Sequence, residues 1–168
     1  MSPTRPEREQ DCSQPEAADD PCVAPRMTPV SGAVHVEARL ELQLSQCRRR
    51  RGLLALLCVS VDAVAPSGGE LDAELERRVR HEVSLRIGNA VRATDRIVRE
   101  SDRDTCIMMP GADAGVADRV GRRLARLVNG DYVVDGELLQ VAVRVGAACH
   151  PGDGSRAPEL LRKACDRA

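Results

Sequence analysis

Arginine supplies most of the chemistry open to this chain. Among its 25 cationic side chains only Lys163 is a lysine. A guanidinium presents a flat fork of donors matched to phosphates, to carboxylates and to the edge of guanine, which an ammonium does not. Acids number 26, for a net charge of −1, so the basic excess of a general nucleic-acid binder is missing. Tyr132 is the single aromatic residue, which removes the stacking platforms that single-stranded nucleic acid needs. Cys12, Cys22, Cys47, Cys58, Cys106, Cys149 and Cys165 include no Cys-x-x-Cys pair, their count is odd, and Cys58, Cys106 and Cys149 lie in apolar runs. That pattern predicts reduced thiols in a cytoplasmic protein, not a disulfide framework. His35, His81 and His150 show no ligand spacing with one another or with cysteine, so no metal site is expected. No run has the length of a membrane span or the make-up of a signal peptide. The expectation is a soluble, cytoplasmic protein with neither membrane nor nucleic acid as partner.

The elements that position these groups follow from apolar spacing. Residues 1–26 hold five of the ten prolines, many charges and almost no apolar residues, which predicts a disordered acidic, Pro-rich tail. Val36, Leu40, Leu44 and Cys47 share one helical face, Arg48 to Arg51 suit its C-terminal end, and Gly52 stops it. The apolar run Leu53 to Val59 reads as a buried central strand, and Pro66 to Gly69 as a loop. Leu71, Leu75, Val79, Val83, Ile87 and Val91 recur every four residues along a second helix. Short strands at Ile97–Val98 and Thr105–Met109 end at Pro110–Gly111. Val116, Val120, Leu124 and Leu127 mark a third helix. Asp135–Gly136 is a two-residue hairpin turn between Tyr132–Val134 and Leu138–Ala148. Pro158 opens a last helix through Leu160, Leu161 and Ala164. The apolar fraction of 42% is ample for one core. The order predicts one α+β domain over residues 27–168.

That order, with its pieces in frame, resembles the GGDEF domain of diguanylate cyclases. Met27 to Gly32 stands at the family's opening turn, Leu54 to Asp62 at its first strand, Cys106 to Gly111 at the strand after the signature, and Val141 to Gly154 at the late strand and its turn. The resemblance implies a central mixed, mostly antiparallel sheet flanked by helices. It also exposes departures. Ser101-Asp102-Arg103-Asp104-Thr105 replaces Gly-Gly-Asp-Glu-Phe, so the glycines that admit a phosphate close to the backbone are gone. The signature glutamate that helps hold the metal becomes Asp104, and the first-strand aspartate becomes Ser60, a poor Mg²⁺ ligand. The guanine-reading Asn and Asp become Gly68 and Arg77, and the Phe-Lys pair becomes Val64–Ala65. Transfer from GTP needs charge neutralised by metal and close positioning, so no catalytic residue, cofactor or enzymatic activity is expected. Asp62, Asp102 and Asp104 are the carboxylates left near the signature.

One family site is retained under this resemblance. The product-binding Arg-x-x-Asp motif falls on Arg92-Ala93-Thr94-Asp95, and the arginine recruited from the following helix falls on Arg123. Arg8 to Asp11 and Arg99 to Asp102 match the same pattern, but only Arg92 has the family's distance from the signature. A guanidinium meets guanine O6 and N7 or a phosphate bidentately, and a carboxylate accepts from guanine N1 and N2. The expectation is a receptor for cyclic di-GMP that relays to an unidentified protein partner, with a ligand-bridged homodimer compatible with that role. The alternative is a nucleotide-independent interaction module of the same fold. His81, Tyr132 and Asp62 are expected to serve the fold.

Overall fold

A strand buried on both faces organises the sheet. The computed structural model describes residues 33–66, 68, 71–101 and 103–168. Its elements are α1 (Ala33–Arg49), β1 (Leu54–Pro66), α2 (Ala73–Ala90), β2 (Arg96–Arg99), β3 (Asp104–Pro110), α3 (Ala114–Val128), β4 (Gly130–Val134), β5 (Glu137–His150) and α4 (Ala157–Asp166). The five strands lie in the order β2-β3-β1-β5-β4. Expected as mixed but mostly antiparallel, the sheet is antiparallel at every one of its pairings. Side chains alternate across a strand, so Leu54, Leu56 and Cys58 of β1 join the core beneath α1 and α4. Ala55, Leu57 and Val59 join the core beneath α2 and α3. The uninterrupted apolar run of β1 is what a strand covered on both sides requires.

Local signals explain most boundaries. Asp72 and Asp113 cap α2 and α3 by accepting the backbone N–H groups of Leu75 and Val116, which satisfies donors otherwise orphaned at a helix start. Glu159 does the same for α4, accepting from the N–H groups of Ser155 and Arg156. Asp135 and Gly136 both take positive φ, 53° and 84°, the geometry of a tight hairpin turn between twisted strands. Tyr132 is buried, donates its hydroxyl to the Val128 carbonyl at 2.8 Å and lies under the Arg86 guanidinium. It serves the fold, as expected.

Two expectations need correction. The stop after α1 is a left-handed Arg51 with φ of 49°, not Gly52. Gly52 N–H reaches back to the Cys47 carbonyl at 2.8 Å and Arg51 N–H to that of Arg48. This closes a Schellman motif one residue earlier than the glycine suggests. The central strand also runs to Pro66, seven residues beyond Val59. A bulge between Val61 and Ala63 lets β1 keep pairing with β5 after its apolar run ends, because bulges re-aim a strand without ending its ladder. The expected tail (1–26), the opening turn (27–32), half of the 66–69 loop and Asp102 lie outside the described residues.

Candidate ligand-binding site

The Arg92–Asp95 segment is a tight turn at the end of α2. Asp95 N–H donates to the Arg92 carbonyl at 2.9 Å, and the Asp95 carboxylate accepts the Arg92 N–H at 3.0 Å. Asp95 is buried while Arg92 is exposed. The turn is closed from both sides, by a backbone bond and by a short acidic side chain reaching back three residues. It leaves the Arg92 guanidinium projecting from a fixed base. Arg123 comes from α3 and is also exposed, and its Nη2 donates to the Ala90 carbonyl at 2.5 Å. A cation there suits the negative end of the α2 dipole.

Arg92, Asp95 and Arg123 line one cavity of about 250 Å³, whose wall also includes Asn89 and the apolar Met109, Val116 and Val120. Convergent polar groups in a concave site fix the orientation of a small molecule. An ionised carboxylate offers about four acceptor positions, so the bond from Arg92 N–H leaves Asp95 able to accept more. The sequence named all three residues, and the structure gathers them.

The signature segment is built quite differently. Ser60 and Asp104 are Cα partners across β1 and β3. Ser60 Oγ donates to Asp104 Oδ1 at 2.6 Å, and Ser101 Oγ donates to Oδ2 at 2.8 Å. Both carboxylate oxygens are thus held by serine hydroxyls. The Asp62 carboxylate is forked by Arg144 at 2.6 and 2.7 Å, and that guanidinium holds it below the usual carboxylate range. On the neighbouring side Arg77, Arg80, Arg99 and Arg103 line a cavity of about 360 Å³. Arg77 is forked by Glu74, Arg80 pairs with Glu76 and Arg99 donates to Ser84 at 3.2 Å. Spacing along the sequence gave no sign of this cluster, because its members come from α2, β2 and the signature turn. Of the other Arg-x-x-Asp matches, Arg8 to Asp11 and Asp102 lie outside the described residues.

Comparison with known proteins agrees with the architecture. No family model matches the chain. The GGDEF domain of PA1120 (TpbB or YfiN) from Pseudomonas aeruginosa superposes with a TM-score of 0.67 at 20% identity, over 81% of this chain and 80% of that one. The GGDEF domain of DgcB from Caulobacter crescentus, in complex with c-di-GMP, superposes with a TM-score of 0.64 at 12% identity, over 82% and 81%. The chain therefore has the fold of GGDEF domains. In sequence it is 26% identical over 121 residues to the cyclic di-GMP phosphodiesterase NbdA of Pseudomonas aeruginosa. That match takes in 72% of this chain but only 16% of that relative's length.

Proposed function

We propose that this chain is a non-catalytic receptor for cyclic di-GMP, held through Arg92, Asp95 and Arg123, whose occupied state acts on a protein partner. The observation that carries the proposal is the convergence of these three side chains on one cavity. Its relatives point to the same ligand: one is named a cyclic di-GMP phosphodiesterase, and one GGDEF domain of this fold was solved with c-di-GMP bound. Guanine edges and phosphodiesters are the groups that two guanidiniums and a carboxylate recognise together. At about 250 Å³ the cavity falls below the roughly 300–1,000 Å³ of pockets that enclose a drug-sized ligand. It takes one end of the dinucleotide and leaves the other facing outward, where a second copy of the chain would complete a ligand-bridged dimer.

Catalysis is a poor fit for the signature. Ser60 brings no charge to a cation, Asp104 is satisfied by two hydroxyls, and Asp62 is committed to Arg144. A hard cation wants several carboxylate oxygens in reach. GTP with Mg²⁺ or Mn²⁺ should give no cyclic di-GMP above a control without protein, and accumulation of product would overturn the non-catalytic reading.

Titration calorimetry tests the receptor. Wild type should bind cyclic di-GMP, while Arg92→Ala and Arg123→Ala should each weaken binding at least about tenfold, since a charge-assisted bond is worth roughly 1.5–3 kcal/mol. Arg8→Ala and Asp102→Ala should bind as wild type. A rival reading has its own support, because Arg123 and Asp95 already clamp the end of α2. It makes the chain an interaction module of this fold that needs no nucleotide. Absence of binding heat at high micromolar ligand would establish that rival.

A further inference from the structure

Four side chains from three distant stretches of the sequence meet at one point on the sheet. Cys58 on β1 and Cys106 on β3 are Cα partners in the ladder. Both are buried on the face toward α1 and α4. Cys165, on the last turn of α4, brings its sulfur to 3.3 Å from that of Cys58. Glu100, just past β2, places its Oε2 3.4 Å from the Cys106 sulfur and 3.9 Å from the Cys165 sulfur. The ligand atoms of Cys58, Cys106 and Glu100 all fall within 4.8 Å of one another.

The approach of α4 depends on Gly146, the β5 partner of Cys58. A Cβ there would collide with the Ala164 carbonyl and with the backbone of Arg167 and Ala168. A bare backbone at that point lets the last turn of α4 settle onto the sheet beside Cys58.

We propose that Cys58, Cys106, Cys165 and Glu100 form a tetrahedral zinc site. In such a site, with metal–sulfur bonds of about 2.3 Å and metal–oxygen bonds of about 2.0 Å, sulfurs stand about 3.8 Å apart and a sulfur and an oxygen about 3.5 Å. Cys58–Cys165, Cys106–Glu100 and Cys165–Glu100 stand 3.3, 3.4 and 3.9 Å apart, and the atoms of Cys58, Cys106 and Glu100 lie within 4.8 Å of one another, so side-chain rotations that swing Cys165 toward Cys106 close the tetrahedron. Three sulfurs select a thiophilic ion over Mg²⁺ or Ca²⁺, and the carboxylate favours Zn²⁺ over Cu⁺. The cluster opens on a cavity of about 210 Å³ whose lining includes Asp104, Arg144 and Asp166, a route to solvent. Binding converts three thiols to thiolates and so releases three protons for each ion. The ion would tie β1, β3, α4 and the turn after β2 at one point.

The test uses the full chain carrying Cys12→Ser and Cys22→Ser, so that thiols of residues 1–26 take up no metal, with a reductant that does not chelate. One zinc per chain should survive dialysis against metal-free buffer. Co²⁺ in its place should give the visible bands of a tetrahedral thiolate complex. Affinity for Zn²⁺, read by competition with a chromogenic chelator, should fall at least about 100-fold in Cys165→Ser and about tenfold in Glu100→Gln. Cys165 is exposed and Glu100 half-buried, so both variants should keep the wild-type circular dichroism. Cys149→Ser, outside the cluster, should bind as the parent. Two results would overturn the site: no retained zinc with an octahedral Co²⁺ spectrum, or parental affinity in both variants.

Discussion

Asp95 has two roles that a single substitution removes together. Its carboxylate lines the ligand cavity and also accepts the Arg92 N–H from a buried position. Asp95→Ala should therefore lower unfolding stability by about 1 kcal/mol, the net worth of a part-buried hydrogen bond, as well as weakening ligand binding. Arg92→Ala, at an exposed position, should stay within about 0.5 kcal/mol of wild type. Paired urea unfolding curves of the two variants check this, and equal losses would show that Arg92 also holds the turn. The motif spans four consecutive residues and could be seen in the sequence, but only the family frame set it apart from the two other matches. Arg123 was legible only through the frame of a family pattern, since no local spacing links it to Arg92. The cysteine cluster was not legible at all. Its ligands come from β1, the turn after β2, β3 and α4, and only the ladder and the packing of α4 bring positions 58, 100, 106 and 165 together.

At the scale of elements, the seating of α4 is the feature most open to perturbation. Gly146→Ala places a methyl against the backbone of Ala164, Arg167 and Ala168, where no flexible side chain can yield. Overpacking of that kind costs about 1–3 kcal/mol, and thermal unfolding should show the loss. An unchanged Tm would mean that α4 rides higher than described. The same end of α4 is also tied through Asp153, whose carboxylate accepts from the Arg167 guanidinium at 2.8 Å and from Cys149 N–H at 2.8 Å. Arg167 first, then the backbone bond, hold this carboxyl below the usual range. A lowered native pKa adds stability above the unfolded value of about 3.9, and that stability fades as pH falls through the native value. Asp153→Asn should cost about 1–2 kcal/mol at pH 7 and almost nothing near pH 2, read from denaturant curves at both. A gap that persists in acid would remove the charge from the explanation. Helix faces and the Asp135–Gly136 turn could be read directly from spacing, as could the apolar half of β1. Its second half could not, because past Val61 the strand is largely exposed on both sides, and only the ladder to β5 keeps it extended.

Considered whole, the molecule places its candidate sites on different parts of one sheet. The ligand cavity sits at the α2–α3 side, where Arg92 and Arg123 flank the end of α2. The thiol cluster sits on the opposite face, beneath α4. Core residues of β1 separate them, so loss of one site should leave the other intact. The central strand that makes this separation has a further consequence for how the chain is made. β1 pairs with β3, Leu54 opposite Pro110, and with β5, Leu54 opposite His150. Its apolar run therefore emerges from the ribosome long before either partner exists. Topologies dominated by such distant pairings fold slowly and expose strand edges while they wait. Residues 54–59 are thus the segment where nascent or truncated chains are most exposed to aggregation, and where a chaperone that holds extended apolar segments would act first.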